Sequence, residues 1–334
     1  MDRISKVGCP LPVKIAGLGR YTPSQVIASS QLELKHGLEP GWFTNNLGVT
    51  QRCWVKEETP SFMGAAAARE AVSAAGLDLE DIDLIINAST TANFEKLVPD
   101  GGPLLQRQLG LADSGIPCFT LQNNFLSFLH ALDVCAAFLT TGRYQHILVV
   151  TAEVFSFNLD FTNPRVFGLF GDGAAAAVVT LTPQGEASGI IDLCLETFGQ
   201  GAAAVQSAIG HAMVRGKVST PADMSMQMDV EYLNKNGSIY AYNLLKKMER
   251  NPTMQDIKWV IPPQMGTMFS DSVKELLPGR EILQITDRFG FCGAASLPMA
   301  LYEAVKGEQL RRGDRLLAVG VGAGISVGGM IMTY

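Results

Sequence analysis

Charged side chains are scarce in this 334-residue chain, at 17% of the composition against 47% hydrophobic residues, which excludes a disordered polymer. Positive charge is scarcer still. Lys and Arg total 26 against 32 Asp and Glu, giving a net charge of −6. Basic residues gather only into pairs such as Lys246-Lys247 and Arg311-Arg312, so the footprint of a nucleic-acid binder is missing. Long apolar runs are absent as well. Stretches such as Ile147 to Ala152 and Ala174 to Leu181 fall well short of the roughly 20 residues that cross a bilayer, so no membrane partner is expected. The segment Met1 to Pro12 lacks the apolar core of roughly 7–15 residues that a signal peptide needs, and a cytoplasmic location is expected. Six cysteines (Cys9, Cys53, Cys118, Cys135, Cys194 and Cys292) show no C-x-x-C spacing, and the four histidines are dispersed. Neither a disulfide framework nor a metal site is expected.

What the chain has in abundance is glycine, with 34 residues, and short buried-strand patterns. At roughly 150 residues per domain the length corresponds to about two units. An internal echo divides it. An Ala-rich helix from Phe62 to Ala75 ends at Gly76 and leads through Asp78-Leu79-Glu80 into a strand from Asp83 to Ala88. Later, Ser238 is placed to cap a helix running to about Arg250, which feeds a strand from Ile257 to Ile261. Each part then supplies a second strand (His146 to Thr151; Arg315 to Val319), a glycine turn (Gly171-Asp172-Gly173; Gly322-Ala323-Gly324) and a last strand (Ala174 to Thr180; Ile325 to Met332). Continuous apolar strands alternating with helices predict parallel-type sheets covered on both faces. Neither glycine turn has the spacing of a phosphate loop. The expected architecture is a duplicated, layered α/β/α/β/α sandwich, divided at residues 1–183 and 184–334.

The segments Gly48 to Arg52, Phe170 to Ala174, Gly307 to Asp314 and Gly322 to Gly324 closely resemble β-ketoacyl-acyl carrier protein synthase III, of the thiolase superfamily. The resemblance spans about Val13 to Tyr334, with the main shortening between about Gly201 and Asn236. It implies the thiolase-type five-layered fold, and a chemistry in which a thiol takes an acyl group from coenzyme A before condensing it with malonyl carrier protein. Such a reaction needs a thiolate activated at a helix N-terminus, with a His and an Asn to stabilise the charge that develops.

On the family's pattern F-D-V-N-A-A-C-S-G-F-L-x-A-L, the run Phe119 to Leu132 places Phe125 at the thiol. On I-P-H-Q-A-N, the run Ile261 to Gly266 places Pro263 at the histidine. On D-R-x-G-N-T-S-A-A-S, the run Asp287 to Ser296 places Phe291 at the asparagine. Phe and Pro carry no nucleophile, no titrating proton and no side-chain donor. Two phenylalanines would also fill space that held substrate. For coenzyme A, Trp42 matches the family tryptophan and either stacks on adenine or packs at an element boundary. The arginines that grip phosphate fall on Asn46, Met268 and Pro164, with Arg165 adjacent to the last.

Ser127 and Cys292 stand beside the replaced positions. Ser127, His130 and Asp133 are spaced to meet on one helix face, although a serine in that setting is equally a hydroxyl bonded to backbone and Cys292 a small buried hydrophobe. Two functions are therefore expected. One is a pseudoenzyme that pairs, as homodimer or heterodimer, with an active ketosynthase III relative in fatty-acid-like or polyketide-type metabolism, with the loop from about Asn93 to Pro103 bordering the neighbour's pocket. The alternative is a divergent acyltransferase working through Ser127 or Cys292. In either case no cofactor is expected, and a coenzyme A or phosphopantetheine thioester enters only as substrate. A carrier-protein contact would fall on Arg215, Lys217, Lys246, Lys247 and Arg250, a set that is also compatible with an ordinary solvated face.

Overall fold

Alternating burial along each strand divides the apolar side chains between two faces, and that division builds the layers. The protein was analysed as a computed structural model that describes residues 10–91, 100–207 and 225–334. In chain order the strands are β1 (Val13–Tyr21), β2 (Gln25–Ala28), β3 (Gln51–Trp54), β4 (Leu84–Asn87), β5 (Cys118–Thr120), β6 (His146–Glu153) and β7 (Gly173–Leu181). They continue with β8 (Gly189–Gly201), β9 (Val205–Ser207), β10 (Met226–Met228), β11 (Trp259–Ile261), β12 (Glu281–Ile282), β13 (Arg315–Gly322) and β14 (Gly324–Thr333). The helices are α1 (Ser29–His36), α2 (Trp42–Leu47), α3 (Pro60–Ala74), α4 (Gly101–Gln108), α5 (Ser127–Thr140) and α6 (Pro164–Phe167). After them come α7 (Val230–Met248), α8 (Thr267–Leu276), α9 (Thr286–Phe289) and α10 (Ser296–Lys306).

One sheet has the order β1-β7-β6-β4-β5 and a second the order β12-β11-β13-β14-β8. In β6, Ile147 and Val149 face the central core with α5 and α10, whereas Leu148 and Val150 face α3 and α4. In β13, Leu316 and Ala318 join the same central core while Leu317, Val319 and Val321 face α7 and α8. The result is the expected five layers, with α5 and α10 buried between two sheets and the other helices outside. α3 begins where Thr59 Oγ1 accepts from the Phe62 N–H at 3.3 Å, with Pro60 in the first turn.

Three expectations are corrected. The sheets are mixed rather than parallel: β4 runs parallel to β5 and β6, and β11 to β12 and β13, but β7 is antiparallel to β1 and β6, and β14 to β13 and β8. The link at Ala323 is too short for a crossover, so β13 and β14 must run antiparallel. Burial on both faces, not strand direction, explains the continuous apolar runs. Secondly, the helix assigned to start at Ser238 begins at Val230, where the Asp229 carboxylate accepts from the Tyr232 N–H at 2.9 Å. Packing of Leu233, Ala241 and Leu244 on the second sheet carries this helix through Gly237, overriding the local propensity. Thirdly, Gly171-Asp172-Gly173 is no sharp turn. Gly171 lies in extended chain pressed against the Phe289 carbonyl, which a Cβ would meet at 2.0 Å.

Asp172 itself is fully buried. Its carboxylate accepts from the N–H groups of Val55 (2.8 Å), Phe155 (2.7 Å) and Ser156 (3.0 Å) and from Ser156 Oγ (2.6 Å). One side chain thereby ties the chain leaving β3, the chain leaving β6 and the start of β7. Burial still pushes its pKa up. Glu153, at the end of β6, is a second buried carboxylate. It accepts from the N–H groups of Thr90 (2.7 Å) and Thr91 (3.0 Å) and from Thr91 Oγ1 (2.9 Å). Burial outweighs these bonds and raises its pKa from 4.5 to about 7.

A carboxyl group whose folded pKa is raised favours the folded state when neutral. Its contribution is complete below pH 4.5 and disappears as pH rises through about 7. Against Glu153→Gln, which cannot ionise, the native protein should therefore lose on the order of 3 kcal/mol of relative stability between pH 4.5 and pH 8. Melting curves of the two proteins across that range check this, and curves that stay parallel contradict the assignment.

Candidate active site

The loop before α5, the loop after β11 and the loop after α9 all end at one side of the central helical layer. They bring Phe125, Pro263 and Phe291 together. These residues, with Gly293 and Val321 among others, line one pocket of about 20 Å3, open on one side and with room for about one water molecule. The Phe125 and Phe291 rings meet edge to face at 4.7 Å. Phe170 packs 5.3 Å from Phe291 and 4.8 Å from Phe155, and Phe155 in turn lies 6.2 Å from Phe125. Phe155, Phe170 and Phe291 are buried and Phe125 half-buried. Each such pair adds about 0.5–1.5 kcal/mol beyond burial, so the four rings hold one another in place.

The two fallback nucleophiles are both engaged elsewhere. Ser127 Oγ donates to the Asn124 carbonyl at 2.6 Å and accepts from the Asn123 N–H at 2.9 Å, the local backbone bonding usual for serine at a helix start. Its proposed meeting with His130 does not occur. His130 Nε2 lies instead 2.8 Å from Asn123 Nδ2. Burial lowers the His130 pKa, and Asp133 acts on it only as a nearby charge. Among the described residues no hydrogen bond joins His130 to either Ser127 or Asp133, because the imidazole turns toward the loop preceding α5. Cys292 is fully buried, with Sγ 3.6 Å from the Phe289 carbonyl. Burial and then the charge of Asp172 push its thiol well above the ordinary range, so it carries no thiolate at neutral pH.

Trp42 and Arg165, paired by the sequence reading, do come together. The guanidinium of Arg165 lies 6.0 Å from the Trp42 ring, a cation–π contact at the surface. Trp42 is half-buried and packs edge-on against Phe43 at 5.3 Å, which is the packing role. Arg165 is exposed and lines a cleft with Asn46, Leu169, Leu233 and Thr267. Asn46 Nδ2 donates to the Trp42 carbonyl at 2.8 Å, and Pro164 occupies the first turn of α6. The side chain of Met268 lies outside the described residues.

Sequence reasoning missed the groups that hold this mouth in shape. Glu33 accepts from the Gly41 and Phe43 N–H groups, each at 2.9 Å, and so satisfies the start of the α2 turn that bears Trp42. Arg52 is completely buried, donates to the Gly168 carbonyl at 2.6 Å and sits 5.2 Å from the Phe43 ring. Burial lowers its pKa to about 10, against the opposing pull of Glu33. The available signal was an arginine followed directly by the apolar run Cys53-Trp54-Val55.

On α7, Lys246 pairs with Glu249 and Lys247 with Glu196. Arg215 and Lys217 lie outside the described residues, as does the stretch 92–99 of the loop expected to border a neighbour. Its remainder begins with Asp100, whose carboxylate caps α4 through the Gly102 N–H at 3.2 Å. Among the described residues, no group of three or more His, Cys, Asp or Glu side chains is placed to hold a metal ion, and no helix is long and apolar enough to cross a membrane.

Residues 119–199 match the family model for 3-oxoacyl-(acyl-carrier-protein) synthase III, and residues 248–334 match the model for the C-terminal part of the same family. The chain is 30% identical to beta-ketoacyl-(acyl-carrier-protein) synthase III of Aquifex aeolicus, with 96% of this chain and 99% of that one aligned. The crystal structure of the Aquifex aeolicus synthase superposes with a TM-score of 0.84 at 29% identity, covering 96% of this chain and 100% of that chain. At the level of fold alone, the priming beta-ketosynthase of the R1128 polyketide pathway superposes with a TM-score of 0.86 at 24% identity, covering 97% of each chain. A shared layered core, aligned almost end to end with these relatives, means that the chain belongs to the 3-oxoacyl-(acyl-carrier-protein) synthase III family.

Proposed function

We propose that this chain is a member of its family that does not turn over alone and serves as the non-catalytic partner of an active ketosynthase or acyltransferase, in fatty-acid-like or polyketide-type metabolism in the cytoplasm. One observation carries the reading. The three positions that the family patterns assign to thiol, histidine and asparagine converge on one pocket, and the side chains there are Phe125, Pro263 and Phe291. None can attack a thioester, move a proton or donate a hydrogen bond to a developing oxyanion. The aromatic packing supports occlusion as well as inertness, since about 20 Å3 does not accommodate an acyl group.

Partnership is supported by the edge of the first sheet. β5 pairs on one side with β4 and has no partner strand on the other among the described residues, and Phe119 on it is 36% exposed. A short edge strand bearing an exposed aromatic is suited to continuing the sheet into a second subunit. The acyltransferase alternative, with a coenzyme A or phosphopantetheine thioester as substrate, needs a nucleophile. Ser127 is bonded to backbone and Cys292 is buried with a raised pKa, so that reading is the weaker. Binding of a carrier protein through Lys246 and Lys247 is weakened by their ion pairs with Glu249 and Glu196.

Incubation of the purified chain with an acyl-coenzyme A should leave its intact mass unchanged and yield no condensation with malonyl carrier protein. A stable adduct mapped to Ser127 or Cys292 would replace this reading with the acyltransferase. Phe125→Cys should not restore condensation, because Pro263 and Phe291 still supply neither partner group. Its cost in stability should stay below the about 3–5 kcal/mol of truncating a fully buried phenylalanine, since Phe125 is half-buried. A robust single-mutant synthase would show the other two positions to be misassigned. Co-expression with an intact relative, followed by size-exclusion chromatography with mass measurement, should recover a dimer burying more than about 2,000 Å2. A monomer indifferent to every such relative contradicts the partnership.

A further inference from the structure

On the outer face of the first sheet, where β4 and β6 end, a pocket of about 10 Å3 lies between the first turns of α3 and α4. Asn87, the last residue of β4, lines it and is 4% exposed. Ser89 Oγ accepts from the Ala152 N–H at 2.9 Å, so its own proton goes to Asn87 Oδ1 at 2.6 Å. That pair of bonds fixes which way the amide points. Oδ1 is taken, and Nδ2 presents its two N–H groups at the pocket with no hydrogen-bond partner among the described residues. A buried donor in that position is costly unless an acceptor comes to it.

The local charge selects the kind of acceptor. Pro60 and Ser61, the first residues of the fifteen-residue helix α3, line the pocket, as does Gly101 at the start of α4. Aligned peptide dipoles give each helix start a partial positive charge. The first turn of α3 holds no acidic residue, and its cap, Thr59 Oγ1, is neutral. Asp100 caps α4 through the Gly102 N–H, with Oδ1 beside Gly102, and neither of these residues lines the pocket. The start of α3 is therefore the uncompensated one. A water molecule would also accept from Asn87, but the charge at α3 favours a ligand that is itself negative. Size restricts it further, since the volume suits one small species. A Cβ on Gly64 would stand 3.0 Å from Val150 Cγ1, 3.3 Å from Leu105 Cδ1 and 3.4 Å from Ala152 Cβ, all three of them pocket walls. Glycine inside a helix weakens it relative to alanine, and here it leaves that space open.

We propose that this pocket binds one monoatomic anion of chloride size, held by Asn87 Nδ2 at the start of α3. The anion joins the ends of β4 and β6 to α3 and α4, and α4 lies against β5 through Gly102 and Cys118, so occupancy stabilises the edge of the first sheet. The inference is independent of whether the chain turns over.

Two measurements test it. Crystals of the native protein soaked in sodium bromide should give an anomalous peak beside Asn87 Nδ2 at the bromine absorption edge. Asn87→Asp keeps an acceptor for Ser89 but replaces the donor by a carboxylate oxygen, so the peak should vanish, whereas a water would remain. In solution, exchanging gluconate for chloride at constant ionic strength should raise the native melting temperature by about 2 °C once chloride exceeds its dissociation constant tenfold, and should leave Asn87→Asp unmoved. If Asn87→Asp does not fold, Gly64→Ala, whose methyl group enters the pocket, should lose both effects. A water without anomalous signal in the native protein, or bromide retained in the variants, overturns the proposal. So does bromide in the crystal with no chloride effect in solution, which is binding at crystal concentration only.

Discussion

The carboxylate of Asp172 is the point on which the surrounding structure depends. Four donors from the chain after β3 and the chain after β6 converge on this fully buried carboxylate within 3.0 Å. An acceptor with several lone-pair sites is the economical way to satisfy so many buried N–H groups at once, and leaving them unpaired would cost about 1–3 kcal/mol each. Three of the donors belong to Phe155 and Ser156, and the acceptor follows Phe170 by two residues. Holding Asp172 therefore also holds Phe155 and Phe170, half of the aromatic group that fills the site.

That aromatic group fills the place where the loops before α5, after β11 and after α9 meet. A catalytic pocket normally leaves polar atoms facing empty space. Here Phe291 closes against Phe125 and Phe170, and the core gains apolar contact. Ser127, Cys292 and His130 are bonded to backbone or to Asn123. Beside it, Arg165 lies over the Trp42 ring at the cleft, and Glu33 accepts from the N–H of Phe43 next to Trp42.

Two buried charges support this cleft and two more support the sheet ends, which is a large ionic content for an interior. Arg52 and Glu33 act on the α1–α2 region, Asp172 and Glu153 on the ends of β6 and β7. The three carboxylates are satisfied mainly by backbone rather than by an opposite charge, whereas Arg52 donates to the Gly168 carbonyl through one nitrogen and leaves its Nε and Nη1 without a hydrogen bond. Desolvation accordingly dominates the titration of Arg52, Asp172 and Glu153, lowering the first and raising the other two.

Read alone, the sequence determined the layered architecture, the two strand-rich parts and the family. On the family's motifs it also placed Phe125, Pro263 and Phe291 at one expected site, and the fold brings the three to one pocket. Those features rest on hydrophobic period and on gap-free local motifs, which a linear chain carries in full. The tertiary structure decided strand direction, because continuous apolar strands report burial on two faces and not polarity. It decided where α7 begins, since packing against the second sheet outweighs Gly237 and the capping signal of Ser238. It separated Ser127 from His130, whose spacing of three allowed a meeting that a neighbouring loop prevents. Asp172, Glu153 and Arg52 were not legible in advance for one reason: their roles come from groups distant along the chain, and only folding brings those groups within reach.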